Sequence, residues 1–161
     1  VLDTPAGLHG RRLGDVLKLA DRIIVPLQPS VFDIFATRAF LDQLAEHRHA
    51  AGVQVGIVGM RVDARTKAAE QLHHFVDSLG FPVLGYLRDT QNYVHLAAHG
   101  LTLFDVAPAR VARDLEQWQG ICAGWTPESR QAARGVAVTR LTGAGRVAAH
   151  HCPHENLPLL L

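Results

Sequence analysis

Three short runs of β-branched and aliphatic residues, separated by stretches with helical spacing, constrain this chain more than any other feature. Arg22-Ile23-Ile24-Val25-Pro26-Leu27, Val53-Gln54-Val55-Gly56-Ile57-Val58-Gly59-Met60 and Pro82-Val83-Leu84-Gly85-Tyr86-Leu87 are rich in residues that suit a strand, and each ends at Pro, a polar residue or a new helical pattern. Parallel neighbours need a crossover, and a helix supplies it. The expected fold class is therefore α/β, a parallel sheet flanked by helices.

Spacing marks the helices. Leu13, Val16, Leu17 and Ala20 predict one over residues 10 to 20. Ser30 with Asp33 three residues later resembles a capping arrangement, and Phe32, Phe35, Ala36, Ala39, Phe40 and Leu44 then predict one broad apolar helix face. Ala69, Leu72, Phe75, Val76 and Leu79 mark the next helix, which Gly80 closes. Residues 92 to 98 read as a short helix, and Val111, Leu115, Trp118, Cys122 and Trp125 as a final amphipathic one.

The two ends read differently. Val1 to Gly7 have the character of a buried strand running into a turn, so the chain is expected to begin in mid-domain, N-terminally truncated. After about residue 133, Gly135, Gly143 and Gly145 break any period. The expected division is a folded part over 1–132 and an irregular tail over 133–161, either an extension or a stretch read past the natural end of the frame.

Composition narrows the function classes. With 161 residues, 48% apolar and 19% charged, the chain suits one globular domain that buries roughly two thirds of its unfolded surface without a metal or disulfide staple. Lys plus Arg number 16 against 15 Asp plus Glu, for a net charge of +1, less basic than a bulk nucleic-acid binder. Cys122 and Cys152 give no disulfide framework, which points to a reducing cytoplasm. No apolar run reaches the ~18 residues of a membrane span.

The segment richest in chemistry is Asp3-Thr4-Pro5-Ala6-Gly7. Ligands of open α/β sheets collect at the C-terminal ends of strands. There, a carboxylate can hold a metal ion through water, and a glycine lets a backbone N–H approach a phosphate. The plainer reading is a strand-ending turn in which Asp3 caps local amides.

Four motifs in order then carry a resemblance. Asp3 to Gly7, Ala20-Asp21-Arg22-Ile23-Ile24-Val25-Pro26-Leu27-Gln28-Pro29-Ser30, Val58-Gly59-Met60-Arg61-Val62-Asp63 and Pro82 to Asp89, spaced by helices, resemble the ParA/MinD family of deviant-Walker ATPases, and within it the ParA partition proteins. The resemblance covers residues 1–125 and implies a P-loop NTPase fold of the SIMIBI class. It implies that Asp3 is the catalytic carboxylate that helps place Mg²⁺ and the attacking water, that the Gly7 amide faces the γ-phosphate, and that Pro5, Pro26 and Ser30 belong to switch and interface loops. Arg61 falls beside the adenine position, where Met60 replaces an Asn and cannot make its amide hydrogen bonds. Leu87 and Arg88 fall where the family contacts the base. For Ser30, a helix-cap role is an equally good reading.

The resemblance further implies ATP and Mg²⁺ as cofactors, a homodimer, a centromere-binding ParB-like partner, non-specific DNA, no membrane, and a cytoplasmic, nucleoid-associated location. Arg65, Lys67, Arg110 and Arg113 are the basic residues for DNA backbone, with solvated surface charge as the alternative. The family's phosphate loop precedes the Asp3 segment, and no GxxxxGK[ST] occurs in the 161 residues. The chain as it stands is therefore expected neither to bind ATP tightly nor to hydrolyse it. Two other functions stay open: a non-catalytic interaction domain of the same fold, and a MinD-like membrane-recruiting ATPase, which would be expected to end in a basic amphipathic helix. His150-His151-Cys152-Pro153-His154 are too crowded for a tetrahedral metal site. The His95/His99 pair has chelating spacing but no third ligand, and Ser30 and Ser129 lack a nucleophile-elbow context.

Overall fold

A computed structural model describes residues 1–5 and 7–123. The elements follow in the order α1 (Gly10–Leu17), β1 (Arg22–Leu27), α2 (Val31–Glu46), β2 (Gln54–Val62), α3 (Lys67–Leu79), β3 (Val83–Arg88), α4 (Gln91–Ala98), a 3-10 turn (Leu103–Asp105) and α5 (Pro108–Ala123). The three strands form one sheet in the order β1-β2-β3, parallel throughout. This is the α/β arrangement expected from the strand and helix spacing. Among the described residues no helix is long and apolar enough to cross a membrane.

β2 lies in the middle and is buried on both sides. Ile57 is inaccessible to solvent and packs with Val25, Leu27, Leu13, Leu17, Leu41, Leu44, Leu72 and Val76, so α1, α2 and α3 share one face of the sheet. Val58, the next residue, turns to the other face and joins Leu87 and Ile121 of α5, with half-buried Ile24, Met60, Leu84 and Trp118 around them. Fully burying an aliphatic side chain of this size is worth about 1.5–3 kcal/mol. The first face therefore carries most of the hydrophobic stabilisation.

Glycines let the layers approach. A Cβ on Gly59 would stand 2.3 Å from Cδ1 of Tyr86, its partner across the β2–β3 ladder, and the Tyr86 ring in turn meets His73 of α3 at 4.3 Å between centroids. On the second face, a Cβ on Gly85 would come within 2.9 Å of Ile121 Cγ1.

Some expectations from the sequence need correction. Residues 1–5 are exposed and outside any strand, Val1 at 83% and Leu2 at 58%, because β1, β2 and β3 make up the sheet and give this segment no ladder partner. In α2 the buried residues are Thr37, Leu41 and Leu44, with Ile34 and Phe40 packed against the core, whereas Phe32 and Phe35 are 87% and 70% exposed. Apolar residues surround this helix, so spacing alone does not select a face. Contact with the sheet does. In α5, Val111 and Trp118 face inward as expected, but Asp114 and Ile121 are the buried residues between and beyond them, and Trp125 lies outside the described residues. Ser30 is the N-cap of α2, yet its side chain makes no capping hydrogen bond. Thr66 and Thr90 do cap α3 and α4, accepting from the amides of Ala69 and Asn92. The irregular tail from residue 133 also falls outside the described residues.

The contact at Gly59 yields a stability prediction. Gly59→Ala forces the Tyr86 ring away from the sheet and should cost about 1–3 kcal/mol in urea unfolding. Gly120→Ala, whose Cβ meets nothing within 4 Å, should be neutral or stabilise by up to about 1 kcal/mol.

Candidate functional site

Parallel strands end on one edge, and here that edge gathers the segments that the sequence marks out. β1 leads through Gln28-Pro29-Ser30 into α2, β2 through Asp63 to Thr66 into α3, and β3 through Asp89-Thr90 into α4. Each of these helices starts at the edge with the positive end of its dipole, and in α3 and α4 Thr66 and Thr90 already take one first-turn amide each. α1 ends shortly before β1 begins and packs on the same face through Leu13 and Leu17. It runs back against the strands, which carries Gly7 to Gly10 towards that edge.

The decisive local feature is an irregularity in β2. Gly59 pairs with Tyr86 and Val62 with Arg88, so Met60 and Arg61 together stand opposite Leu87. This is a bulge with one extra residue. Arg61 takes it up with φ of 53°, the one non-glycine residue with positive φ among the described residues. A left-handed conformation costs a side-chain-bearing residue about 1–2 kcal/mol, and such strain persists where the surroundings over-determine it. The bulge sends neighbouring side chains in opposite directions. Met60 packs into the second core, while Arg61 is exposed at the edge and its Nε donates to Asp89 Oδ1 at 3.2 Å.

Two of the expected base-contacting residues are turned elsewhere. Leu87 is 1% exposed and is a core residue beneath α5. The Arg88 guanidinium reaches Asp114 of α5, Nε to Oδ1 at 2.5 Å and Nη2 to Oδ2 at 3.2 Å, and Asn92 Nδ2 donates to the same carboxylate at 2.7 Å. The Arg88 backbone N–H donates to Gln117 Oε1 at 3.0 Å. Arg88 is thus a clamp between sheet and α5, with its side chain committed to packing. The Asp114 carboxyl is held below the usual carboxylate range, first by hydrogen bonding to Arg88, against the opposing effect of burial, and with help from Asn92.

The remaining candidates have these settings. Gly7 has φ of 73° and, with Pro5, Leu8, His9, Gly10, Arg11 and Arg12, lines an open groove of about 480 Å³. His9 Nδ1 donates to the Gly7 carbonyl at 2.6 Å, since a carbonyl can only accept. Asp3 and Pro5 are exposed. Pro26 is exposed on the outer strand β1 opposite Val58, where a missing N–H does least harm to a sheet, and Ser30 is half-buried at the start of α2. Arg65 closes on Asp63 with Nε at 2.9 Å and Nη2 at 2.8 Å, which lowers the Asp63 carboxyl to about 2. Its charge is compensated locally. Lys67 opens α3, whereas Arg110 and Arg113 are exposed on α5, the helix of the opposite face. No group of three or more His, Cys, Asp or Glu able to hold a metal occurs among the described residues. His99 Nδ1 donates to the carbonyl of His95 at 2.7 Å.

Asp89 and Asp114 are the residues that reading motifs passes over. Asp89 stood in the quoted strand-end motif without a role, and Asp114 looks like one more helix-surface charge. Compared with protein-family models, curated proteins and solved structures, the chain matches none.

Two measurements follow from this geometry. Arg61→Gly removes the left-handed strain and should raise stability by about 1 kcal/mol in urea unfolding, while deleting the edge guanidinium. Asp114→Ala leaves Arg88 without its carboxylate and should cost about 3 kcal/mol. Because the Asp114 pKa is depressed on folding, its contribution is complete above the ordinary carboxylate value near 3.8 and is lost as pH falls through the lower folded value. The acid limb of the stability profile should therefore flatten in the variant.

Proposed function

We propose that this chain is the α/β nucleotide-binding unit of a ParA-like ATPase. In its complete form that ATPase binds ATP and Mg²⁺ as a homodimer, binds DNA without sequence preference, and answers to a ParB-like partner during plasmid or chromosome partitioning. The observation that carries the reading is the convergence of motifs: the segments after each strand, and the Gly7–Gly10 approach to α1, are delivered to one sheet edge, the edge at which open α/β sheets take ligands.

The residues fit this chemistry unevenly. Gly7 has the left-handed backbone and open Cβ position that suit an amide turned to a γ-phosphate. Asp3 would hold Mg²⁺ through water and orient the attacking water, a positioning and charge-stabilising role of the kind that dominates phosphoryl transfer. Arg61, steadied by Asp89, offers a planar cation to the face of a base in place of amide hydrogen bonds. The lysines that would hold the β- and γ-phosphates belong to a GxxxxGK[ST] loop that the 161 residues do not contain. The reading therefore requires such a loop from chain outside these residues.

A second reading has its own observation. Met60 is turned into the core, and Val31, Phe32 and Phe35 stand exposed together at the start of α2, as in a domain that works by contact with another protein. Sequencing the reading frame on the 5′ side of the Val1 codon separates the two. An in-frame strand, phosphate loop and helix are expected, and in the chain carrying them Asp3→Ala should lower ATP turnover by about 10²-fold or more. A start codon directly before Val1 would refute the ATPase reading and leave the interaction domain.

A further inference from the structure

At the opposite end of α2 from the candidate edge, two histidines meet α1. His47 is the C-cap of α2, and His49 follows in the turn towards β2. Both are half-buried, with ring centroids 5.5 Å apart. His47 lies on α1 so closely that a Cβ on Gly14 would stand 3.1 Å from its Nε2.

Both rings act as acceptors. The His49 backbone N–H donates to His47 Nδ1 at 3.2 Å, and Arg48 Nε donates to His49 Nε2 at 3.1 Å. Neither a backbone amide nor a guanidinium can reverse its role. Each imidazole is thus neutral, with its proton on the other ring nitrogen. Protonating the accepting nitrogen would set N–H against N–H and expel the donor.

The surrounding charge works in the same direction. α1 presents Arg11, Arg12 and Asp15, and Lys18, its C-cap, already holds Asp15 at 2.9 Å. Arg48 adds a further cation from the turn itself. His49 is the ring on which these charges act. Its imidazole is held below the ordinary histidine value by loss of solvent first, then by Arg48, Lys18 and His47, with Asp15 opposing.

We propose that the His47–His49 pair is a pH-sensitive clamp between α2 and α1: with His49 neutral and held by Arg48, the turn keeps His47 against Gly14, and as pH falls His49 takes up a proton, expels Arg48 and loosens the turn from α1. α1 is the helix whose other end forms the Gly7–Gly10 groove, so acid acts on the groove from a distance. The clamp is independent of the nucleotide reading. Its sign follows from linkage: the folded state prefers the neutral ring, so the contribution is complete above the ordinary value near 6.5 and is lost as pH drops below it.

The test compares urea unfolding of the intact chain at about pH 7.5 and about pH 5.5 with that of the double variant His47→Asn, His49→Gln. The amide oxygens of Asn and Gln stand in for Nδ1 and Nε2 as acceptors but do not titrate. The unfolding midpoint of the unaltered chain is expected to fall further over this interval than that of the variant. Equal falls overturn the proposal. Should the variant fail to fold, NMR titration of the unaltered chain decides. A His49 midpoint below the ordinary value, tracked by the Gly14 amide resonance, supports the clamp. A midpoint at or above that value, or a Gly14 resonance that does not move, overturns it.

Discussion

Ile57 and Val58 are consecutive residues of β2, and both are buried, one beneath α1, α2 and α3 and the other beneath α5. A strand enclosed on both faces must pair on both edges and be covered twice, and the remaining elements meet those demands. The two covers are built differently. The first is a broad aliphatic layer, whereas the second rests on a small cluster around Ile121 and on the Arg88–Asp114–Asn92 hydrogen bonds. A buried ion pair adds little over an apolar pair of the same shape, but it penalises any other arrangement. In this fold it fixes the position of α5 along β3.

The same strand end that supplies the clamp also supplies the edge. Arg88 turns inward to α5, and Asp89, the next residue, meets Arg61 from the bulge in β2. Arg88 is thus committed to packing, whereas Asp89, just past the end of β3, stays at the exposed edge. The strained Arg61 backbone sits at that exposed edge. A glycine there would be the more stable choice.

Much of the architecture was legible in the sequence, because the signals were local. Runs such as Arg22 to Leu27 and Pro82 to Leu87 announce strands through β-branched content, and Gly80 closes α3 in the left-handed conformation that favours glycine. The face of α2 was not legible. Apolar residues encircle it, and only the sheet decides that Leu41 and Leu44 go inside while Phe32 and Phe35 stay out. Of the candidate site, the positions of Arg61, Ser30 and the Gly7 turn at the strand-end edge were foreseeable from the α/β order. The withdrawal of Leu87 and Arg88 into packing was not, because its causes lie on α5: Ile121 for Leu87, and for Arg88 the carboxylate of Asp114, 26 residues further along the chain.

The sequence by itself determined the class, the order of elements, the short turns and the residues gathered at one edge, since each depends on local preference or on the handedness and length of a crossover. Tertiary structure alone decided which faces are buried, that Met60 and Arg61 part company at a bulge, and that an aspartate on α5 is a core residue. Those outcomes depend on contacts between residues far apart in the chain. Burial and hydrogen-bond satisfaction are properties of the assembled layers, and no single segment carries them.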